Sequence, residues 1–315
     1  MQKTAIGLVV LLFAVVGSLL FRAGESSESD ATILTRTLED SAGRSVEMPK
    51  HPKRVVVLNA SNLDLFCAAG GAEFVVGKPS SKALSDEVVK ATSDADEVGI
   101  IHSPNIEKIL VLKPDLVIGT NVPYHQALIP TLEQAGIPLY IQALDTYEQI
   151  FDTLKLYGSL AKAEQVAEAR IEKMKEEYKV AEAYSKGKNP PKSLIIFGSP
   201  ESFNMATKYS FTGDLVERLG GGNIADQISD NKEGYVPLGM EFVAKQNPQV
   251  IFLIMHGPPQ MEDTIRRNFE ENPAWADVDA VKTKRIFVLP YELFAVNPGV
   301  RAAEAMQQLA DAMYE

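Results

Sequence analysis

The sequence predicts an α/β protein of two lobes, each with a mostly parallel sheet flanked by helices, joined by one long α-helix. Three observations lead there. Continuous apolar runs such as Arg54-Val-Val-Val-Leu58 and Val250-Ile-Phe-Leu253 have the composition of strands buried on both faces of a parallel sheet. These runs alternate with helical stretches, as βαβ units require. One local pattern also occurs twice, as Glu107 to Pro114 before the strand Asp115–Gly119, and as Glu241 to Pro248 before Gln249–Leu253. In each, a helix begins near Glu and is stopped seven residues later by a Pro, which lacks an N–H and disfavours helix in the residue before it.

Residues 1–21 read as a signal peptide or membrane anchor and residues 22–33 as a flexible tether. Lys3 provides a positive start, Thr4 to Phe21 is uncharged, and Gly24 to Asp30 is polar. The apolar run is just short of the ~20 residues of a spanning helix and longer than most secretory cores, which favours an uncleaved anchor over cleavage after Ser18. No Cys follows the run to accept a lipid.

The N-terminal lobe is expected over 34–145. Thr35–Glu39 and Ser45–Met48 flank a turn at Gly43 and form a β-hairpin. After Arg54–Leu58, a helix runs from Asn59 to Ala69 and stops at Gly70-Gly71; Phe74–Gly77, Glu97–Ile101 and Asp115–Gly119 are short strands. Thr146 to Lys186 is rich in Ala, Glu, Lys and Leu and holds no Pro, so 146–188 is one connecting helix with a bend near Gly158. The C-terminal lobe occupies 189–315. Within it Gly220-Gly-Gly222 ends a helix and lacks the lysine and hydroxyl spacing of a phosphate loop.

Composition narrows the partners. Across 315 residues, 45% hydrophobic and 23% charged content suffices for two cores. A net charge of −11 with no basic segment argues against nucleic acid. Cys67 is the single cysteine, so no intrachain disulfide forms; its neighbours place it on a buried helix face.

His102 and His256 stand out because each ends an apolar run where a turn begins. Ligands collect at the carboxyl ends of strands in open α/β sheets, so one imidazole from each lobe is placed to grip a metal centre between them. His51 reads as solvated and His125 as a surface residue. No paired Cys or His has structural-zinc spacing. An enzyme using both histidines and a carboxylate such as Glu241 on a bound metal remains an alternative.

Lys53-Arg-Val-Val-Val-Leu58, Asn105-Ile-Glu-Lys-Ile-Leu110, Lys113-Pro-Asp-Leu-Val117, the early hairpin and the long middle helix resemble the helix-linked substrate-binding proteins of ABC importers for haem, cobalamin and ferric siderophores. Gly77 to Leu84, Val98 to Glu107, Ala206 to Val216 and His256 to Pro259 are most similar to the haem-binding lipoproteins of the iron-regulated surface determinant system. The resemblance implies a non-enzymatic, extracytoplasmic protein that carries haem to an ABC permease, tethered to the cytoplasmic membrane by its N-terminal segment. It implies His256 as one axial ligand of the iron. The other maps to His102, where the relatives carry Met; this lowers the reduction potential and favours ferric iron. The missing lipid-accepting Cys is a second departure.

A haem also needs an apolar slot, for which Leu84, Met205, Tyr209, Met240 and Met255 are the candidates, and partners for its propionates, for which Ser80, Ser81 and Lys82 lead into a helix start. The resemblance places permease docking at Asp64 and Glu217. Cobalamin or a ferric siderophore is the alternative ligand.

Overall fold

Alternating burial makes the first element. Strand β1 (Thr35–Glu39) pairs antiparallel with β2 (Ser45–Pro49), and Val46 and Met48 turn inward. Asp40 closes the turn, its Oδ1 accepting from the N–H groups of Ala42 and Arg44 at 3.0 Å each, while Gly43 adopts φ +75°. The structure, a computed structural model, describes residues 34–199, 202–228, 232–255, 262–295 and 297–314. The expected anchor and tether lie outside them.

The N-terminal lobe continues through β3 (Val55–Val57), α1 (Ala60–Ala68), β4 (Val75–Lys78), α2 (Asp86–Ala91), β5 (Asp96–Glu97), β6 (Gly99–Ile100), β7 (Ser103–Pro104), α3 (Ile106–Val111), β8 (Leu116–Gly119), α4 (Pro123–Gln126), α5 (Ile129–Gln134) and β9 (Leu139–Ile141). Five strands form an all-parallel sheet in the order β5-β4-β3-β8-β9. The strand expected over Glu97–Ile101 is broken. Gly99, at φ +104°, turns the chain out of the sheet into a separate β6–β7 hairpin, and a Cβ there would lie 2.5 Å from the Ser103 carbonyl.

The connection is helical as expected but is two helices, α6 (Tyr147–Ala161) and α7 (Glu164–Ser185). Thr146 and Gln149 form a capping box at the start of α6. The chain breaks at Lys162, left-handed at φ +57°, rather than near Gly158. Gly158 has another task. A Cβ there would sit 2.6 Å from the Ala167 Cβ, so its missing side chain lets α7 pack closely on α6.

The C-terminal lobe contains β10 (Lys192–Ser199), β11 (Ser202–Ala206), α8 (Phe211–Arg218), β12 (Gly222–Asn223), β13 (Tyr235–Pro237), α9 (Met240–Gln246), β14 (Val250–Met255), α10 (Glu262–Glu271), α11 (Asp279–Lys282), β15 (Ile286–Val288), α12 (Tyr291–Phe294) and α13 (Ala302–Tyr314). Its sheet runs β13-β11-β10-β14-β15, with β12 beside β10; β10 is parallel to β12 and β14, β14 to β15, and β11 antiparallel to its neighbours. The repeated pattern is physical: the residue before each Pro, Lys113 and Asn247, sits left-handed at φ +46° and +47°.

Period-two alternation joins the lobes. Val55, Val57, Leu116 and Ile118 face the same apolar cluster as Ile195, Phe252 and Ile254 of the second lobe, bridged by Tyr147, Ile150, Leu154, Ile171 and Met174 of the linker helices. The intervening residues Val56, Val117, Leu194, Ile196, Ile251 and Leu253 face outer clusters private to each lobe.

Candidate ligand cleft between the lobes

The chain leaves five of its parallel strands into one cleft of about 480 Å³, within the usual range for ligand sites. Asn59 follows β3, Pro79 and Ser80 follow β4, Thr120 follows β8, Leu144 and Asp145 follow β9, and Tyr291 follows β15. This is the crevice that parallel strand polarity creates. The second lobe adds Tyr209, Phe211, Tyr235 and Phe294, giving the cleft an aromatic wall. Of these, only Tyr209 is among the residues the sequence singled out; the strand-end rule that picked the two histidines also reaches Asn59, Thr120 and Tyr291.

His102 stands at the tip of the β6–β7 hairpin, next to the lining residues Ile100 and Ile101. The ring is exposed and meets Tyr124 edge-on at 5.3 Å. His256 lies outside the described residues; the last residue placed before it, Met255, ends β14. His125 is not a surface residue. It is 0% exposed, its Nδ1 accepts from the Thr120 N–H at 2.9 Å, and burial lowers its pKa to about 4. His51 is half-buried rather than solvated, with no partner at Nδ1.

Among the described lining residues Lys232 is the one cation and Asp145 the one anion. Lys232 holds φ +56°, an uncommon conformation for a residue with a side chain. Burial raises the Asp145 carboxyl. Crowding by the cleft walls, then the Asp145 charge and Tyr291, push the Tyr235 hydroxyl up to about 12, although the ring keeps 44% of its surface open. Both effects favour neutral groups in a cleft of low polarity.

Several expected contacts are placed elsewhere. Ser80 and Ser81 line the cleft, but the helix beyond them starts at Asp86 and is capped by Ser85; Ser80 instead donates to Glu97 Oε2 at 2.6 Å, and Ser81 Oγ accepts from Ala83 N–H at 3.2 Å. Lys82 is exposed and is not among the lining residues. Leu84 packs on the shared core, and Met205 is fully buried in the outer cluster of its lobe, because their strand and loop positions face inward. Met240 and Met255 line a different apolar hollow of about 340 Å³ with Phe203, Phe269 and Trp275, which shares no lining residue with the cleft. Among the described residues no three His, Cys, Asp or Glu side chains, Glu241 included, gather to hold an ion.

Glu217 is exposed on the last turn of α8. Asp64 is not exposed on its helix. It accepts from the Val300 N–H of the second lobe at 2.8 Å, and burial raises its pKa. Gly299 permits that approach, since a Cβ there would sit 2.2 Å from Asp64 Oδ2. Asn297 Nδ2 donates across the same seam to Leu144 O at 3.1 Å, and Asp214 accepts from Tyr147 N–H at 2.8 Å. Cys67 packs on the shared core, and burial pushes its thiol up to about 12, leaving it unreactive.

Two α/β lobes meeting on a helical linker, with a cleft at their strand ends, define a helix-linked solute-binding protein. Residues 55–293 match the model of the periplasmic binding protein family, and the chain belongs to that family. It is 25% identical over 316 residues to the uncharacterized ABC transporter substrate-binding lipoprotein YvrC of Bacillus subtilis, covering 98% of this chain and 95% of the relative. It is 28% identical over 244 residues to the high-affinity heme uptake system protein IsdE of Staphylococcus aureus, covering 76% and 81%. The crystal structure of IsdE complexed with heme superposes with a TM-score of 0.71 at 27% identity, covering 83% of this chain and 99% of that one. A substrate-binding protein of an ABC transporter from Listeria monocytogenes gives 0.74 at 26%, covering 84% and 99%. The class is therefore that of ABC transporter substrate-binding proteins, which bind and deliver rather than catalyse.

Proposed function

We propose that this chain is an extracytoplasmic protein, held at the cytoplasmic membrane by its N-terminal segment, that captures haem between its lobes and delivers it to an ABC permease. The observation that carries this reading is the aromatic cleft with an exposed imidazole, His102, on the hairpin at its wall. Similarity to the heme uptake protein IsdE and to the lipoprotein YvrC supports the cargo and the tether. In this reading His102 and His256 bind the iron from opposite sides. Tyr209 and Tyr235 cover the macrocycle, and Lys232, with the hydroxyl of Ser81, takes the propionates in place of Lys82. Glu217 docks on the permease; Asp64, engaged with Val300, does not.

Haemin titration of the full chain tests the cargo. A sharpened, red-shifted Soret band is expected, weakened in His102→Ala and more so in His256→Ala. An unshifted band in the unmodified protein overturns haem, and the same titration with cobalamin or a ferric siderophore then tests the alternatives. Replacing Lys232 by Gln is expected to weaken haemin binding about tenfold while leaving haemin dimethyl ester unaffected, because only the former offers a carboxylate.

A further inference from the structure

We infer that His125 is a positioning residue for the cleft wall, tying the hairpin tip Ile101–His102 to the end of β8. The inference rests on the cleft being the ligand site. The β6–β7 hairpin is paired only with itself and stands outside the five-stranded sheet. Its base is held by backbone bonds from Ser80 N–H to Gly99 O at 2.8 Å and from Asn105 N–H to Val98 O at 2.7 Å. Neither reaches the tip, where Ile100 is 51% exposed.

What reaches the tip is the pair Tyr124–His125 on the short helix α4. Tyr124 braces the His102 ring from its edge. His125 lies fully buried behind the wall, bonded to Thr120, which with Ile101 lines the cleft. Because Nδ1 accepts the Thr120 N–H, the proton of the neutral ring sits on Nε2. That Nε2 faces the Ile101 backbone, yet it meets no acceptor in good hydrogen-bond geometry. A buried donor without an acceptor is costly, and a small movement of Ile101 toward the ring relieves it. A ligand seated against Ile101 makes that movement, so the imidazole stiffens the tip, and His102 with it, when the cleft fills.

The variant His125→Asn separates the two sides of the ring: its amide oxygen still accepts from Thr120, but the side chain is too short to reach Ile101. Amide hydrogen exchange on the full chain is the readout. With haemin bound, exchange over residues 99–104 is expected to rise about tenfold in the variant while β8 is unchanged, and haemin is expected to dissociate about tenfold faster. Without ligand, a smaller rise confined to the tip is expected. Tip exchange identical to the unmodified protein, or a rise shared equally with β8, overturns the inference. If His125→Asn does not fold, Tyr124→Ala decides by the same exchange measurement. Should the unmodified protein bind no haemin, the haem reading falls, and the ligand-free exchange still decides this one.

Discussion

At the scale of single residues, the decisive groups are buried polar side chains that organise the backbone around the cleft. Asn62 is 0% exposed and donates from Nδ2 to Asn59 Oδ1 at 2.9 Å, Gln142 O at 3.0 Å and Gly119 O at 3.2 Å, while Tyr157 donates its hydroxyl to Asn62 Oδ1 at 2.9 Å. One amide thus fastens the ends of β3, β8 and β9 to the linker helix. Removing it strands several buried groups together, so Asn62→Ala is expected to cost about 3 kcal/mol in denaturant unfolding. His125 makes stability depend on pH. Its folded pKa, about 4, lies below the ordinary value of 6.5, so between these pH values the unfolded chain binds a proton that the folded one does not. Stability therefore falls as pH drops from about 6.5 to 4 and this contribution then levels, a loss of up to ~3 kcal/mol. Denaturation midpoints across that window are expected to fall more steeply in the unmodified protein than in His125→Asn, the difference being the contribution of this imidazole.

At the scale of elements, the linker shows what composition can and cannot say. A Pro-free stretch rich in Ala, Glu, Lys and Leu specifies helix, and helix is what it forms. Where it breaks is set by tertiary packing, because Gly158 is consumed in the close approach to Ala167 while Lys162 absorbs the turn. Lys162→Gly is accordingly expected to stabilise the protein by about 0.5–1 kcal/mol, since glycine adopts the left-handed conformation without steric cost. Gly158→Ala, despite alanine's better helix propensity, is expected to destabilise by about 1–3 kcal/mol through overpacking. Calorimetry of the two variants checks both signs. The hairpin carrying His102 teaches the same lesson: the run Glu97–Ile101 reads as a strand, but Gly99 turns it away from the sheet and so brings the histidine to the cleft wall.

At the scale of the whole molecule, the lobes share one apolar cluster through α6 and α7, Asp64 and Asn297 hydrogen-bond across the seam, and Asp214 binds the start of the linker at Tyr147. That continuity predicts one cooperative transition rather than two. The single tryptophan, Trp275, is buried in the outer cluster of the second lobe, so its fluorescence reports that lobe while far-ultraviolet circular dichroism reports both. The two denaturation curves are expected to coincide; separated midpoints would show lobes that unfold independently. The same seam confines any opening of the cleft to small movements, consistent with ligand capture by local elements such as the hairpin tip. On the outer surface, Glu217→Arg is expected to lower permease-dependent uptake while the haemin titration stays unchanged.

The order of apolar strands, helix stops and the repeated Glu-to-Pro pattern determined the two-lobed α/β architecture from the sequence, because these signals are local: burial on both faces, a missing N–H, a left-handed residue before proline. The same strand-end logic singled out His102 and His256; His102 stands on a hairpin tip beside the cleft, and His256 lies outside the described residues. Which side chains line the cleft was decided only by tertiary structure. Met205, Met240 and Met255 have the chemistry of a haem slot, but the direction of each side chain depends on pleat and on neighbouring helices, and these send them into a core or a separate hollow. Asp64, His125 and Tyr235 acquired their roles from partners up to a whole lobe away, a relation that spacing along the chain does not encode.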